Sequence, residues 1–128
     1  MTSRGRLKPA APQPPADVIR AVGAALADRK AIEVTVLDLR GLSGATDFFV
    51  IASGTSDTHV RGIADHVLSA LGPKGIKPHH VEGLEGGRWV LLDYIDFVVH
   101  LFHPELREFY QLERLWSDAP VLAPGTEG

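Results

Sequence analysis

The sequence contains no cysteine, one methionine and no long apolar segment among its 128 residues. Without cysteine, disulfide bonds and thiolate zinc sites are excluded, and a reducing compartment such as the cytoplasm is the expected location. No apolar run approaches the roughly 20 residues that cross a bilayer, so no membrane partner is expected. An excess of positive charge is also absent. Because the formal net charge is -3, we expect RNA contacts to be local and incidental.

Proline is concentrated near the two ends of the chain. Residues 1–16 contain four prolines, which prevent an amphipathic helix, and they lack the apolar centre of a signal peptide. Residues 117–128 combine proline and glycine with no hydrophobic periodicity. We therefore predict disordered tails at 1–16 and 117–128 around one ordered domain at 17–116, since a chain of this length holds one domain of common size.

The ordered part alternates the patterns of helices and strands. Apolar residues recur at helical spacing after Asp17 and again from Val60 to Leu71, where Gly72 and Pro73 end the pattern. The segments with strand character are Ala31–Leu39, Phe48–Ala52, His79–Glu82, Arg88–Asp93 and Ile95–Phe102, and Pro104 suits the first turn of a closing helix. The order predicts a mixed α/β sheet, because the long helix permits a parallel crossover and the turn near Tyr94 requires an antiparallel pair.

The residue types needed for catalysis are present but poorly arranged. His59 and His66 lie seven residues apart without the His–Glu–His spacing of a helical zinc site, and His79 and His80 point to opposite faces of a strand. We therefore predict no metal, no cofactor and no catalytic residues. His100, on an apolar strand, has the pattern of a hydrogen-bonded core histidine.

The turn at Ser53–Ser56 precedes a helix and resembles an anion cradle, because free amides point outward at a helix N-terminus. It lacks the spacing of a P-loop, and the following strand offers no pair of carboxylates for Mg²⁺. A tight turn with a helix cap is therefore the favoured interpretation. A nucleotide-binding enzyme of nucleotidyltransferase-like fold remains the alternative.

The hairpin of Arg88–Phe102 concentrates the residue types that dominate protein interfaces. Arg88, Trp89, Tyr94 and Phe102 all lie within it. Aromatic residues at strand spacing also build cores, so composition and periodicity leave core and interface equally favoured.

Several short motifs along the chain are specific through their order and spacing. They are Thr46–Ile51, Gly54–Ser56, Val81–Gly83, Trp89–Asp93, Asp96–His100, Arg107–Tyr110 and Leu112–Trp116. Together they make the segment from Asp38 to Trp116 resemble the Iojap/RsfS ribosomal silencing factors. The resemblance implies a mixed five-stranded sheet flanked by helices, with nucleotidyltransferase-like topology but without catalytic carboxylates.

The resemblance also implies a function without chemistry. Members of the family bind large-subunit ribosomal protein number fourteen, block joining of the small subunit by steric exclusion and repress translation under nutrient limitation. A mildly acidic protein would be steered to a basic ribosomal protein and repelled by the surrounding RNA. Since family members can form homodimers, a self-associating scaffold is a further alternative.

The resemblance assigns residues to two groups. Those that match the partner-facing strand and turn, with the residue just beyond them, are Trp89, Leu92, Asp93, Tyr94 and Asp96. Signature positions without an assigned role are Asp47, Thr55, Ser56, His59, Glu82 and His100. Phe97, Val99 and Leu101 are expected in the core.

One position departs from the family pattern. Many members have glycine where this chain has Ile95, and a branched residue disfavours positive φ. We therefore expect the turn after Tyr94 to differ from that of the family.

Overall fold

The structure consists of two long helices packed on one mixed sheet, in the segments where the sequence has helix and strand patterns. The computed structural model describes residues 15–42, 44, 46–106 and 119–122. Within these residues the elements are α1 (Pro15–Asp28), β1 (Ile32–Asp38), β2 (Phe48–Ser53), α2 (Asp57–Leu71), β3 (His80–Glu82), β4 (Trp89–Asp93), β5 (Phe97–Phe102) and β6 (Val121–Leu122), with a 3₁₀ turn at Gly72–Lys74. Neither α1 nor α2 is long and apolar enough to cross a membrane.

The sheet has the strand order β3-β4-β5-β2-β1-β6. β2 and β5 are parallel, with Phe48 opposite Phe97, and the other neighbouring pairs are antiparallel. The prediction of a mixed α/β sheet with one parallel crossover is confirmed. β5 lies between β4 and β2 and is buried along its whole length, as expected of a strand that is apolar on both faces.

The sheet differs from the prediction by one strand. Val121 and Leu122 pair with Leu37 and Val36 of β1, and the buried Ala119 precedes them. The sheet therefore has six strands where five were predicted, and the sixth lies within the segment 117–128. A two-residue strand is too short to show periodicity, and the unpaired edge of β1 provides its hydrogen-bonding partner.

The chain ends are only partly described. α1 begins at Pro15, two residues before the predicted start, with proline in the first turn where its missing N–H costs little. Residues 104–106 begin the closing helix that was predicted after Pro104. The rest of that helix, at 107–116, and the predicted tails at 1–14 and 123–128 lie outside the described residues.

The core consists of two clusters on opposite faces of the sheet. The larger cluster lies between the sheet and the two helices and includes Phe97, Val99 and Leu101, as predicted. The smaller cluster is on the other face and contains Leu37, Leu39, Ile51, Phe102 and Ala119, with Phe49, Trp89 and Leu106 packed against it. The two faces of β4 and β5 therefore have different neighbours.

Gly83 positions the start of β4. Its φ is +78°, and a Cβ atom there would overlap the carbonyl oxygen of Trp89. Because that oxygen belongs to backbone, it cannot move aside as the end of a flexible side chain can. A side chain at position 83 would displace the strand that carries Trp89.

We predict that Gly83→Ala lowers the free energy of unfolding by about 2 kcal/mol or more, through backbone strain and the overlap with Trp89. Urea denaturation measures this change. Gly62→Ala is the control, because Gly62 lies in α2 with open space around its Cβ position. That substitution should stabilise the protein by up to about 1 kcal/mol through helix propensity. Equal effects of the two substitutions would contradict the role of Gly83.

Candidate binding surface

The turn between β4 and β5 is closed by short-range hydrogen bonds. The Tyr94 N–H donates to the carbonyl oxygen of Phe97, and the Asp96 N–H donates to that of Tyr94, each at 2.9 Å. The Ile95 N–H donates to Asp93 Oδ1 at 2.8 Å. The carboxylate of Asp93 therefore takes part in the turn and is not free to adopt every rotamer.

A second set of hydrogen bonds ties this turn to the loop between β1 and β2. The carbonyl oxygen of Asp96 accepts from the N–H groups of Asp47, at 2.9 Å, and Phe48, at 3.2 Å. The carbonyl oxygen of Asp47 in turn accepts from the Leu39 N–H at 2.8 Å. Asp47 is thus a backbone link between the loop and the turn, which gives this signature position a structural role.

Ile95 has φ +74° although it is β-branched. The expectation that a branched residue would avoid positive φ at this position is therefore wrong. The hydrogen bonds of Asp93, Tyr94 and Asp96 hold the backbone in a conformation that its own side chain disfavours.

Two of the five predicted partner-facing residues lie in the core. Leu92 is 0% exposed and Tyr94 is 7% exposed, and both belong to the cluster under the helices. The ring of Tyr94 stacks on Phe97 with centroids 4.7 Å apart, and burial raises the pKa of its hydroxyl to about 12. Direct contact of these two side chains with a partner is therefore not supported. Both side chains support the hairpin by packing in the core on the helix side of the sheet.

The other three expose surface at the hairpin. Asp96 is exposed, whereas Trp89 and Asp93 are half-buried. Trp89 and Asp93 project from one face of β4, because alternate residues of a strand share a face, and Leu92 projects from the opposite one. Asp93 and Asp96 lie at the turn, whereas Trp89 lies at the opposite end of β4, on the same face of that strand as Asp93.

Trp89 is held by aromatic neighbours. Its ring stacks on Phe102 with centroids 5.1 Å apart, and its Nε1–H donates to His100 Nδ1 at 3.2 Å. His100 is itself buried and contacts the ring of Phe49 edge-on at 4.6 Å. Desolvation lowers the pKa of His100 from 6.5 to about 4, while the charge of Asp93 opposes this shift. The prediction of a hydrogen-bonded core histidine is confirmed.

Three further signature positions form the start of α2. Ser56 Oγ accepts from the His59 N–H at 3.0 Å, and the Thr55 N–H donates to His59 Nδ1 at 2.8 Å. His59 Nε2 lies 2.6 Å from the carbonyl oxygen of Arg29, which joins this helix to the end of α1. The N–H groups of Gly54, Thr55 and His59 are bonded within the chain, so the geometry favours a helix cap over a phosphate site.

Glu82 lies at the edge of the sheet on β3. Its carboxylate is 2.6 Å from His80 Nε2, and both side chains are largely exposed, so the pair adds little stability. Among the described residues, no group of three or more His, Asp or Glu side chains is placed to hold a metal ion.

Sequence reasoning did not assign Ile95 to the surface, although its side chain is 56% exposed. A signal for this was present, since Ile95 lies between the turn residues Tyr94 and Asp96. An apolar side chain at a turn is unfavourable in water unless it packs against the core or binds a partner.

Comparison with known proteins identifies related sequences over most of the chain. Residues 12–127 match the family model described as ribosomal silencing factor during starvation. The ribosomal silencing factor of Bacillus subtilis is 39% identical over 81% of this chain and 88% of its own length. That of Halalkalibacterium halodurans is 43% identical over 77% and 84%.

A more distant relative and a solved structure also resemble this chain over most of its length. A mouse protein named mitochondrial assembly of ribosomal large subunit protein 1 is 33% identical over 72% of this chain and 42% of its own length. A crystal structure of a protein from Chromobacterium violaceum superposes with a TM-score of 0.77 at 30% identity. It covers 86% of this chain and 91% of the other.

The low pKa of His100 predicts a stability that depends on pH. The unfolded chain binds a proton near pH 6.5, but the folded protein does so near pH 4, so stability falls as pH decreases between these values. The loss due to this group should be roughly 3 kcal/mol. Urea denaturation from pH 7 to pH 4 should show a steeper loss for the wild type than for His100→Gln, which keeps an acceptor for Trp89. Parallel profiles would contradict burial of a neutral His100.

Proposed function

Since the chain belongs to the family of ribosomal silencing factors, we propose that it binds the large ribosomal subunit through ribosomal protein number fourteen. Bound there, the protein occupies space that the small subunit needs and prevents the two subunits from joining. Translation is thereby repressed when nutrients are limiting. The mechanism requires a surface of defined shape and no catalytic step.

The observation that carries this proposal is the rigid, acidic end of the β4–β5 hairpin. Asp47, Asp93 and Asp96 come together there, and none of these carboxylates forms an ion pair with another described residue. Arg40, a cation on the adjoining loop, is paired with Asp38 at 2.7 Å, and its charge also interacts with that of Asp47. The end of the hairpin therefore keeps negative charge available for a partner.

Charge complementarity favours a basic protein as the partner. Carboxylates at the rim of an interface accelerate association with a positively charged surface and disfavour approach to nucleic acid. A basic ribosomal protein surrounded by RNA presents positive charge close to negative charge. The acidic hairpin end would thus select the protein surface and avoid the RNA beside it.

The name of the mouse relative is consistent with a large-subunit partner, since it refers to assembly of that subunit. In this chain we assign direct contact to Trp89, Asp93 and Asp96. Leu92 and Tyr94 have a supporting role, because they fill the core below the turn. Self-association through the same hairpin would compete with ribosome binding.

We predict that Asp96→Lys weakens binding to purified large subunits about tenfold or more at low salt, because it replaces attraction by repulsion at the rim. Co-sedimentation with large subunits measures the affinity. The effect should diminish as salt increases, since exposed charges are screened.

Asp65→Lys is the matched control. Asp65 is exposed on α2, so the substitution changes the net charge by the same amount at another place. This variant should bind nearly as tightly as the wild type. Equal losses for the two variants would indicate a non-specific charge effect and contradict the assignment of the hairpin.

A further inference from the structure

Ile95 combines two unfavourable properties that no other described residue combines. Its backbone is at φ +74°, and its large apolar side chain is 56% exposed. The other described non-glycine residues with positive φ are Lys30 and Glu33, neither of which is β-branched. The other large exposed apolar residues, such as Val121 and Leu42, do not have positive φ.

The backbone at Ile95 is held by several contacts at once. The hydrogen bond from the Asp96 N–H to the Tyr94 carbonyl spans one residue, as in a γ-turn, and the φ of Ile95 matches the rarer and strained form. The Asp93 carboxylate fixes the Ile95 N–H, and Asp47 fixes the far side of the turn. The side chain is therefore displayed in one direction with little freedom of the backbone.

The folded chain gains little from isoleucine at this position. Ile95 belongs to neither hydrophobic cluster, so its side chain does not contribute to the core. Glycine would adopt the same φ without strain, and asparagine would do so at a small cost. A strained residue that does not support the fold is a candidate for function.

The surroundings of Ile95 indicate what it would contact. Asp96 follows it directly, Asp93 accepts a hydrogen bond from its N–H, and the carboxylates of both form no ion pair with a described residue. The turn thus has one exposed apolar side chain and two acidic residues. The complementary surface is a shallow apolar depression bordered by lysine or arginine on a basic protein.

We propose that Ile95 is an anchor residue that inserts into such an apolar depression of the ribosomal partner, with Asp93 and Asp96 facing the cations at its border. This inference rests on the proposed function and extends it to a residue outside the predicted contact set. The strained turn orders the anchor before binding, which reduces the entropy that association would otherwise cost.

The test compares three substitutions at this position in the full chain. Ile95→Asn tolerates positive φ and removes the apolar contact, whereas Ile95→Leu keeps the contact without β-branching. Ile95→Gly relieves the strain and also removes the contact. Affinity for purified large subunits is measured by co-sedimentation, and melting temperature by circular dichroism.

We expect Ile95→Asn and Ile95→Gly to bind about tenfold or more weakly than the wild type, and Ile95→Leu to bind within about threefold. The melting temperatures of all three should be equal to or above that of the wild type, because the substitutions relieve strain. Loss of binding without a decrease in melting temperature would show that Ile95 contacts the partner and does not support the fold.

The inference is overturned if Ile95→Asn and Ile95→Gly bind as tightly as the wild type. It is also overturned if the three variants melt well below the wild type, since the position would then be structural. If the wild type itself does not bind large subunits, the proposed function fails and the inference fails with it. Weak binding of Asp96→Lys with unchanged binding of Ile95→Asn would keep the proposed function and reject the anchor.

Discussion

The carbonyl oxygen of Asp96 joins the β4–β5 turn to the first residues of β2, and the candidate surface depends on this junction. It accepts hydrogen bonds from Asp47 and Phe48, at the point where the parallel strands β2 and β5 begin. The central pair of the sheet thereby fixes the direction of the hairpin turn. The side chains of Leu92 and Tyr94 fill the core between the turn and the helices, and so support the turn from that side.

This junction suits the proposed mechanism of steric exclusion. Steric exclusion requires that a folded body be held at one place in one orientation. A turn that is fixed by backbone hydrogen bonds and by the Asp93 carboxylate loses little freedom when it binds. Two signature positions also stabilise the scaffold away from the turn, since Ser56 caps α2 and His59 joins α2 to the end of α1. Rigidity of the scaffold is therefore part of the proposed mechanism.

Much of the fold could be predicted from the sequence, because its patterns are local. The period of α2, the alternation in β1 and the double-sided apolar pattern of β5 each follow from which faces are buried. β6 could not be predicted, since two residues carry no period and their pairing depends on the free edge of β1. The positive φ of Ile95 was also beyond local propensity, because it is held by hydrogen bonds within the turn and by the bond from Asp47 to Asp96.

The candidate site was predicted less completely than the fold. The resemblance located the hairpin but treated Trp89, Leu92 and Tyr94 alike. Period-two alternation alone puts Trp89 and Leu92 on opposite faces of a strand, so the sequence contains enough information to remove Leu92 from the contact set. Tyr94 follows the last residue of β4, so strand alternation does not predict which face of the sheet its side chain is on. Its burial comes from packing against Phe97, which sequence alone does not reveal.

A density map of this protein bound to the purified large ribosomal subunit tests the central claim most directly. We predict that the turn from Asp93 to Asp96 faces a basic ribosomal protein on the side of the subunit that meets the small subunit. The body of the sheet and helices should then overlap the position of the small subunit. A map in which this turn faces solvent or ribosomal RNA, or in which the small subunit has room to bind, would contradict the account.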